Sequence, residues 1–352
     1  MKSVLFWGRY GNYGPDYPRN RVVESVMSGL GCRVSRFLPS LSMLADVEYS
    51  LRGGKKPDVI WVPCFRQRDL PAAVRYGHRY DIPVIFDPLI SSYDKQVNER
   101  HKFDADSMRG RRLLEQERKL FLLADKLIAD TQGHADYYHE MHGVARERLF
   151  IIPVGAEESL FQAHPLALRP VDEPLELVFF GTFIGLQGVD VLAQAIQQYD
   201  GPPVRWRLLG DGPMREQCEQ LLSAMPQVVF EPWGPLQELP GRLVTSDAIL
   251  GIFGTSDKAR RVIPNKVYQG LALARPVITA RTPAYPPAIL ANEQSGLLWA
   301  ESGDPASIIA AVKRLHERRS ELPIIAEAAR CTYENYFSNR VIADVLRTVL
   351  QL

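Results

Sequence analysis

Four cations fall within nine residues, Lys258, Arg260, Arg261 and Lys266. Phosphate oxygens call for such density, because each charge-assisted hydrogen bond contributes about 1.5–3 kcal/mol. A charge run is also what a solvated face looks like, so its placement has to decide. This run follows the apolar stretch 248–253 and precedes a helical stretch that feeds another apolar run at 276–279. Open parallel sheets take ligands at the carboxyl ends of their strands, which favours the binding reading. Two glycine-rich turns stand at equivalent places. Gly181-Thr-Phe-Ile-Gly-Leu-Gln-Gly188 follows an apolar run and opens a helix, where free N–H groups and the helix dipole favour an anion. Leu208-Leu-Gly-Asp-Gly-Pro-Met214 is similar. The competing reading of both is geometric: a tight turn needs glycine, and Asp211 and Pro213 can simply start the next helix.

The first half carries weaker signals. Gly8, Gly11 and Gly14 are spaced by three, with Arg9, Tyr10, Asn12 and Tyr13 among them, which fails the Gly-x-Gly-x-x-Gly test for a dinucleotide enzyme. Gly11, Asn12 and Gly14 then form either a plain flexible loop or one that lets backbone amides approach a ligand. Asp87 ends the run 83–87, where it either orients a substrate or, standing before Pro88, forms a turn. Asp104-Ala-Asp106 lies in a charged segment without a preceding apolar strand and is read as solvated surface, so no metal site is expected. Cys32, Cys64, Cys218 and Cys331 are widely separated and form no metal or redox motif.

Positioning these residues requires an α/β chain in which short apolar runs alternate with helical stretches. Strands are expected at 3–7, 58–62, 83–87, 126–129 and 148–152, forming one doubly wound sheet. The stretch 163–174 carries three prolines, after which the alternation restarts at 176–180, 204–209, 228–231, 248–253 and 276–279. The expected domains are therefore 1–165, 166–335 and a terminal helix 336–352. In that helix Ile342, Val345, Leu346 and Val349 share a face, and it is expected to return to the first domain. From 95 to 126, nine Lys and Arg face six Asp and Glu around a helical apolar spacing, read as a buried helix with a wet face or a peripheral contact with an anionic membrane.

The whole chain sets bounds. Its 352 residues exceed the size at which one core keeps growing, and 46% hydrophobic residues suffice for two. A formal charge of +1 leaves no footprint of a dedicated nucleic-acid binder. The short apolar run after Lys2 is neither a signal-peptide core nor a membrane span, which points to a cytoplasmic protein.

The segment Pro264-Asn-Lys-Val-Tyr-Gln-Gly-Leu-Ala-Leu-Ala-Arg-Pro-Val-Ile278 resembles the second domain of glycosyltransferase family 4, with its Glu-x7-Glu segment, Ala-rich helix and Gly-x-Pro-Val-Ile strand. The resemblance extends to Leu209-Gly-Asp-Gly-Pro213, to Ile152-Pro-Val-Gly-Ala156 with Phe161, and to Ser295-Gly-Leu-Leu298. It implies the GT-B fold, two Rossmann-like domains with parallel sheets facing a central cleft. It also implies retaining, metal-independent and cofactor-free transfer from a nucleoside-diphosphate sugar to a glycan, lipid-linked or small-molecule acceptor. Membranes are often touched by such enzymes at the inner face. Donor contacts then fall on Gly181, Thr182, Gly188, Gly210, Asp211, Gly212, Lys258, Asn265 and Gln269, with Trp233 and Gly234 where similar enzymes hold the base, although Trp233 also reads as core. Asp87 stands where similar enzymes often have a histidine. The family's two glutamates fall on Arg261 and Gln269, and its customary Arg and Lys fall near Thr182 and Gln187. Arg261 and Lys266, with Lys258, are therefore expected to supply the cationic contacts, and Gln269 the ribose contact. Loss of the acidic pair keeps open a catalytically silent glycan- or nucleotide-binding subunit; a nucleotide-sugar epimerase is the other rival.

Overall fold

The computed structural model describes residues 1–9 and 17–352, so the candidate loop residues Gly11, Asn12 and Gly14 lie outside the described residues. The chain forms two Rossmann-like α/β units, Met1–Gly155 with Asn339–Leu352, and Ala156–Ser338. In the first, β1 (Ser3–Trp7), β2 (Arg33–Phe37), β3 (Val59–Val62), β4 (Val84–Phe86), β5 (Lys126–Ala129) and β6 (Leu149–Ile151) pair in the order β2-β1-β3-β4-β5-β6, all parallel. In the second, β7 (Leu175–Phe180), β8 (Val204–Leu209), β9 (Val228–Glu231), β10 (Ala248–Leu250), β11 (Val277–Ala280) and β12 (Leu297–Ala300) pair in the order β12-β11-β10-β7-β8-β9, again all parallel.

The strands form where apolar side chains must be buried on both faces, because crossover helices cover a parallel sheet from either side. Successive residues alternate in direction, so β1 sends Leu5 and Trp7 into one layer of the first unit and Val4 and Phe6 into the other. The second layer is closed by the helices Pro18–Gly29 and Asn339–Leu350, the latter contributing Ile342, Leu346, Val349 and Leu350. Val345 of the expected face is only partly buried there. Lys126 Nζ donates to Val349 O at 2.6 Å and Lys2 Nζ to Leu350 O, placing two cations at the negative end of the helix dipole.

One expectation needs correction. The stretch 163–174 is not a free boundary, because the second unit begins at Ala156 and holds this segment firmly. Arg275 donates to His164 O, Arg319 donates to Glu173 O and Pro170 O, and the Arg169 guanidinium pairs with Asp247 at 2.8 Å. The helix expected within 95–126 is Met108–Phe121, with Leu113, Leu114 and Leu120 half-buried, Phe121 buried and Arg111, Arg112, Arg118 and Lys119 exposed, and its inward face also carries the carboxylate of Glu117. Asp104 and Asp106 are exposed. No described helix is long and apolar enough to cross a membrane.

Leu346 is fully buried beneath the first sheet. Leu346→Ala is expected to cost ~2–5 kcal/mol in chemical unfolding followed by circular dichroism.

Candidate functional site

In the second unit three loops meet at the carboxyl ends of adjacent strands. Gly181 follows β7 directly, Gly210 follows β8, and the run from Gly251 to Gly254 follows β10. Backbone hydrogen bonds tie them together: Gly181 N donates to Leu209 O at 2.9 Å, Phe183 N to Asp211 O at 2.9 Å, and Phe253 N to Gln187 O at 3.0 Å. The approach leaves no room for side chains. A Cβ on Gly210 would collide with the Gly181 carbonyl oxygen, and one on Gly188 would lie 2.5 Å from Gly254 N. Glycine is therefore required at both positions by backbone contact as well as by turn shape.

Lys266 stands on the helix Asn265–Ala272, which opens behind Pro264. The side chain is 3% exposed, and its Nζ lies 3.5 Å from the centroid of the Phe179 ring. The same Nζ is 3.0 Å from where a Gly181 Cβ would stand, so the ammonium reaches the first glycine of the loop after β7. Among the described residues it has no hydrogen-bond acceptor. Burial pushes the amine well below the usual lysine range, with no neighbouring charge opposing the shift. Gln187 Oε1, 3.5 Å from the same point on Gly181, is also buried without a donor. An orphan donor and an orphan acceptor thus converge on one loop. Buried polar groups are nearly always satisfied, so such a pair calls for a water or a ligand to complete it.

The short helix Asp257–Arg261 packs against the turn Gly185–Gln187 and is capped by Ser256, whose Oγ accepts from Ala259 N at 3.2 Å. It brings buried Lys258 and half-buried Arg261 toward the loop that Lys266 reaches. Gln269 lies one turn beyond Lys266 on the same helix and is buried, while Asn265 in its first turn is half-buried. The other candidates stand nearer to solvent. Thr182 is exposed, and exposed Asp211 accepts from Gly212 N at 2.7 Å, a local turn contact. Trp233, beside exposed Gly234, is 48% exposed and so is not a core residue.

Asp87 in the first unit is neither a free carboxylate nor a turn former. It is 1% exposed and pairs with the buried Arg19 guanidinium at 2.8 Å. Arg19 Nη1 also donates to Ile152 O at 2.8 Å and Pro153 O at 2.6 Å, joining the end of β4 to the segment after β6. Burial pushes the Asp87 carboxyl above its usual range, against the pull of the Arg19 charge. The pair encloses the carboxylate, so contact with a substrate would require breaking it.

Sequence reading missed Arg19 and two more buried polar groups. His134 Nδ1 hydrogen-bonds Asp130, and Thr131 Oγ1 accepts from His134 N at 3.1 Å. Glu117 accepts from Ser92 N at 2.5 Å and Tyr93 N at 3.0 Å, fastening the loop after β4, with His142 Nε2 at 3.2 Å. The spacing of four between Asp130 and His134 is a helical signal that could have been noticed. Arg19 and Glu117 find their partners only through the fold.

Comparison with known proteins bears on this architecture. Residues 5–155 match the glycosyl transferase 4-like domain and residues 174–318 match the family of glycosyl transferases group 1. The chain belongs to the family 4-like glycosyltransferases of the GT-B type. The lipopolysaccharide core biosynthesis glycosyltransferase LpsD of Rhizobium meliloti (strain 1021) is 27% identical over 188 residues, 52% of either chain. The match thus spans about half the length of that relative. Among solved structures, HepE of Anabaena in complex with UDP is similar over 100% of both chains, with a TM-score of 0.72 and 15% identity. Sucrose-phosphate synthase from Thermosynechococcus elongatus reaches a TM-score of 0.74 at 13% identity, covering 100% of this chain and 98% of that one. Identities this low speak for the fold.

Asp87→Ala leaves Arg19 as an uncompensated buried charge, and it is expected to cost ~3–5 kcal/mol in urea unfolding. Asp104→Ala, at an exposed site, should stay within about 0.5 kcal/mol of the parent.

Proposed function

We propose that the chain transfers a sugar from a nucleoside-diphosphate sugar to a glycan acceptor, free or lipid-linked, with retention of configuration and without a metal or other cofactor. The observation that carries this is the buried, unpaired Lys266 ammonium at the Gly181 loop. A diphosphate there would supply the missing anion. As the glycosidic bond breaks, negative charge grows on the leaving diphosphate, and a fixed cation shielded from water stabilises that state more than the ground state. Arg261 and Lys258 lie on the helix packed against the same loop and are assigned to the phosphates with it. Gln269, one turn along from Lys266, is assigned to a ribose hydroxyl as an uncharged acceptor. Uracil is the first base to try, since the similar HepE structure holds UDP.

Incubation with a panel of UDP-sugars and glycan acceptors tests the reading. Released UDP and a product with the donor's anomeric configuration by NMR are expected, unchanged by a chelator. Donor binding with no release under any pairing would instead favour the silent subunit.

Lys266→Met keeps the volume and removes the charge. In calorimetry it is expected to weaken UDP by ~1.5–3 kcal/mol, roughly ten- to 150-fold, and to leave uridine nearly unchanged. Equal losses for both ligands would move Lys266 off the phosphates. The pH dependence has a definite sign. The free amine titrates well below the usual lysine range and a bound diphosphate raises it, so binding takes up a proton and UDP affinity falls as pH rises through the free value. Lys266→Met should abolish that slope.

Gln269→Leu should weaken UDP and uridine alike, since the lost hydrogen bond is to the ribose they share. Unchanged affinity in the same calorimetry would remove Gln269 from the site.

A further inference from the structure

A diphosphate would satisfy Lys266 but not its neighbour. Gln187 Oε1 is buried without a donor among the described residues, and the oxygens of a sugar-linked diphosphate are themselves acceptors only. The place that Lys266 reaches therefore calls for a second group, one that donates.

The backbone that carries this amide is fixed. Gln187 closes the 3-10 turn Gly185–Gln187, where its N donates to Ile184 O at 2.9 Å and its O accepts from Phe253 N at 3.0 Å. The next residue, Gly188, is held at φ +65°, with no room for a Cβ against Gly254 N. From this anchored turn Gln187 Oε1 comes within 3.5 Å of the point where a Gly181 Cβ would stand, and Lys266 Nζ within 3.0 Å of it. That ammonium also decides which end of the amide faces inward. Turning the amide over would set its NH2 toward a cation, donor against donor, in a place shielded from water.

The covalent structure of a sugar nucleotide says which donor lies nearest a diphosphate. On the nucleoside side the phosphate is joined through C5′, which carries no hydroxyl, and the ribose hydroxyls stand on the far side of the ring. On the other side the phosphate is joined to the anomeric carbon, and the adjoining carbon, C2, carries a hydroxyl or an acylated amine. With the diphosphate on Lys266, the group best placed to meet Gln187 is the one on C2.

We propose that Gln187 Oε1 accepts a hydrogen bond from the C2 substituent of the transferred sugar and so selects donors with an O–H or N–H at that carbon. The inference deepens the preceding reading and rests on its assignment of Lys266 to the diphosphate. An analogue lacking the C2 donor leaves the buried acceptor unpaired and is disfavoured for that reason.

Calorimetry on the full chain with UDP, UDP-glucose and UDP-2-deoxyglucose tests it. The parent is expected to bind UDP-glucose about three- to tenfold more tightly than the 2-deoxy compound. Gln187→Met keeps the length of the side chain and removes the acceptor, so it should bind the two sugar nucleotides equally and hold UDP within about twofold of the parent. Gln187→Glu keeps an acceptor and should preserve the preference at C2 while weakening all three ligands, because its carboxylate competes for the Lys266 ammonium. Circular dichroism and an unchanged unfolding midpoint would establish that the variants fold. Equal affinity of the parent for the two sugar nucleotides would overturn the proposal. So would a Gln187→Met variant that keeps the preference, which would leave Gln187 to a water shared with Lys266, or one that loses UDP as strongly as UDP-glucose, which would move the residue onto the phosphates. If UDP binds and Lys266→Met weakens it, such a result removes the C2 assignment alone, whereas a parent that binds no UDP removes the underlying reading with it.

Discussion

Backbone meeting backbone, with no side chain between, is the constraint on which the second unit's site depends. The loops after β7, β8 and β10 share one carboxyl edge because Gly188, Gly210, Gly212 and Gly254 each lack the Cβ that would strike a neighbouring loop. Their mutual hydrogen bonds then fix the Gly181 turn from two sides. Only a turn held in this way offers a buried lysine a defined point to reach. The spacing of the loops sets where the ammonium ends, and that ending accounts for the depressed amine.

Buried charge is handled in two ways. In the first, charged and polar groups are closed off in pairs: Arg19 with Asp87, His134 with Asp130, and Glu117 with His142 and the backbone of the loop after β4. Removing one member of such a buried pair is costly, so these groups hold loops in position. In the second, Lys266 and Gln187 are left open beside a loop of backbone amides. Burying an unpaired ammonium opposes folding unless something else is gained, and a ligand anion is the economical explanation. Residue type alone does not distinguish the two cases, because Asp87 and Lys266 both read as candidate site residues in the sequence.

Much of the fold was legible because buried parallel strands are short apolar runs. Runs 3–7, 126–129, 204–209 and 228–231 are strands at those bounds. The two unread strands, β2 and β12, each lie at one edge of a sheet, while the opposite edges, β6 and β9, were read. β2 has Arg33, Ser35 and Arg36 exposed, so it lacks the apolar continuity of a central strand, and β12 is a four-residue run after a glycine turn. The domain boundary was misread for a different reason. Residues 163–174 have little periodicity, but Arg275 and Arg319 bind their carbonyls, and an arginine-to-carbonyl contact leaves no pattern along the chain. The cation cluster was readable as a cluster, whereas the uneven burial of Lys258, Arg261 and Lys266 was not, since it depends on loops more than fifty residues away.

The helix Asn339–Leu350 belongs to the first unit although the whole second unit separates it from the rest of that unit in sequence. On a ribosome, domains usually mature in the order in which they emerge. Here the layer containing Val4, Phe6, Val59 and Trp61 has the helix Pro18–Gly29 over it but stays incompletely covered until residues 339–350 have left the exit tunnel. The second unit, uninterrupted from Ala156 to Ser338, has all its strands synthesised before that moment. The order of completion is thus reversed relative to the order of synthesis, and a stalled or prematurely ended chain would display the incompletely covered first sheet to chaperones while its second unit was already whole.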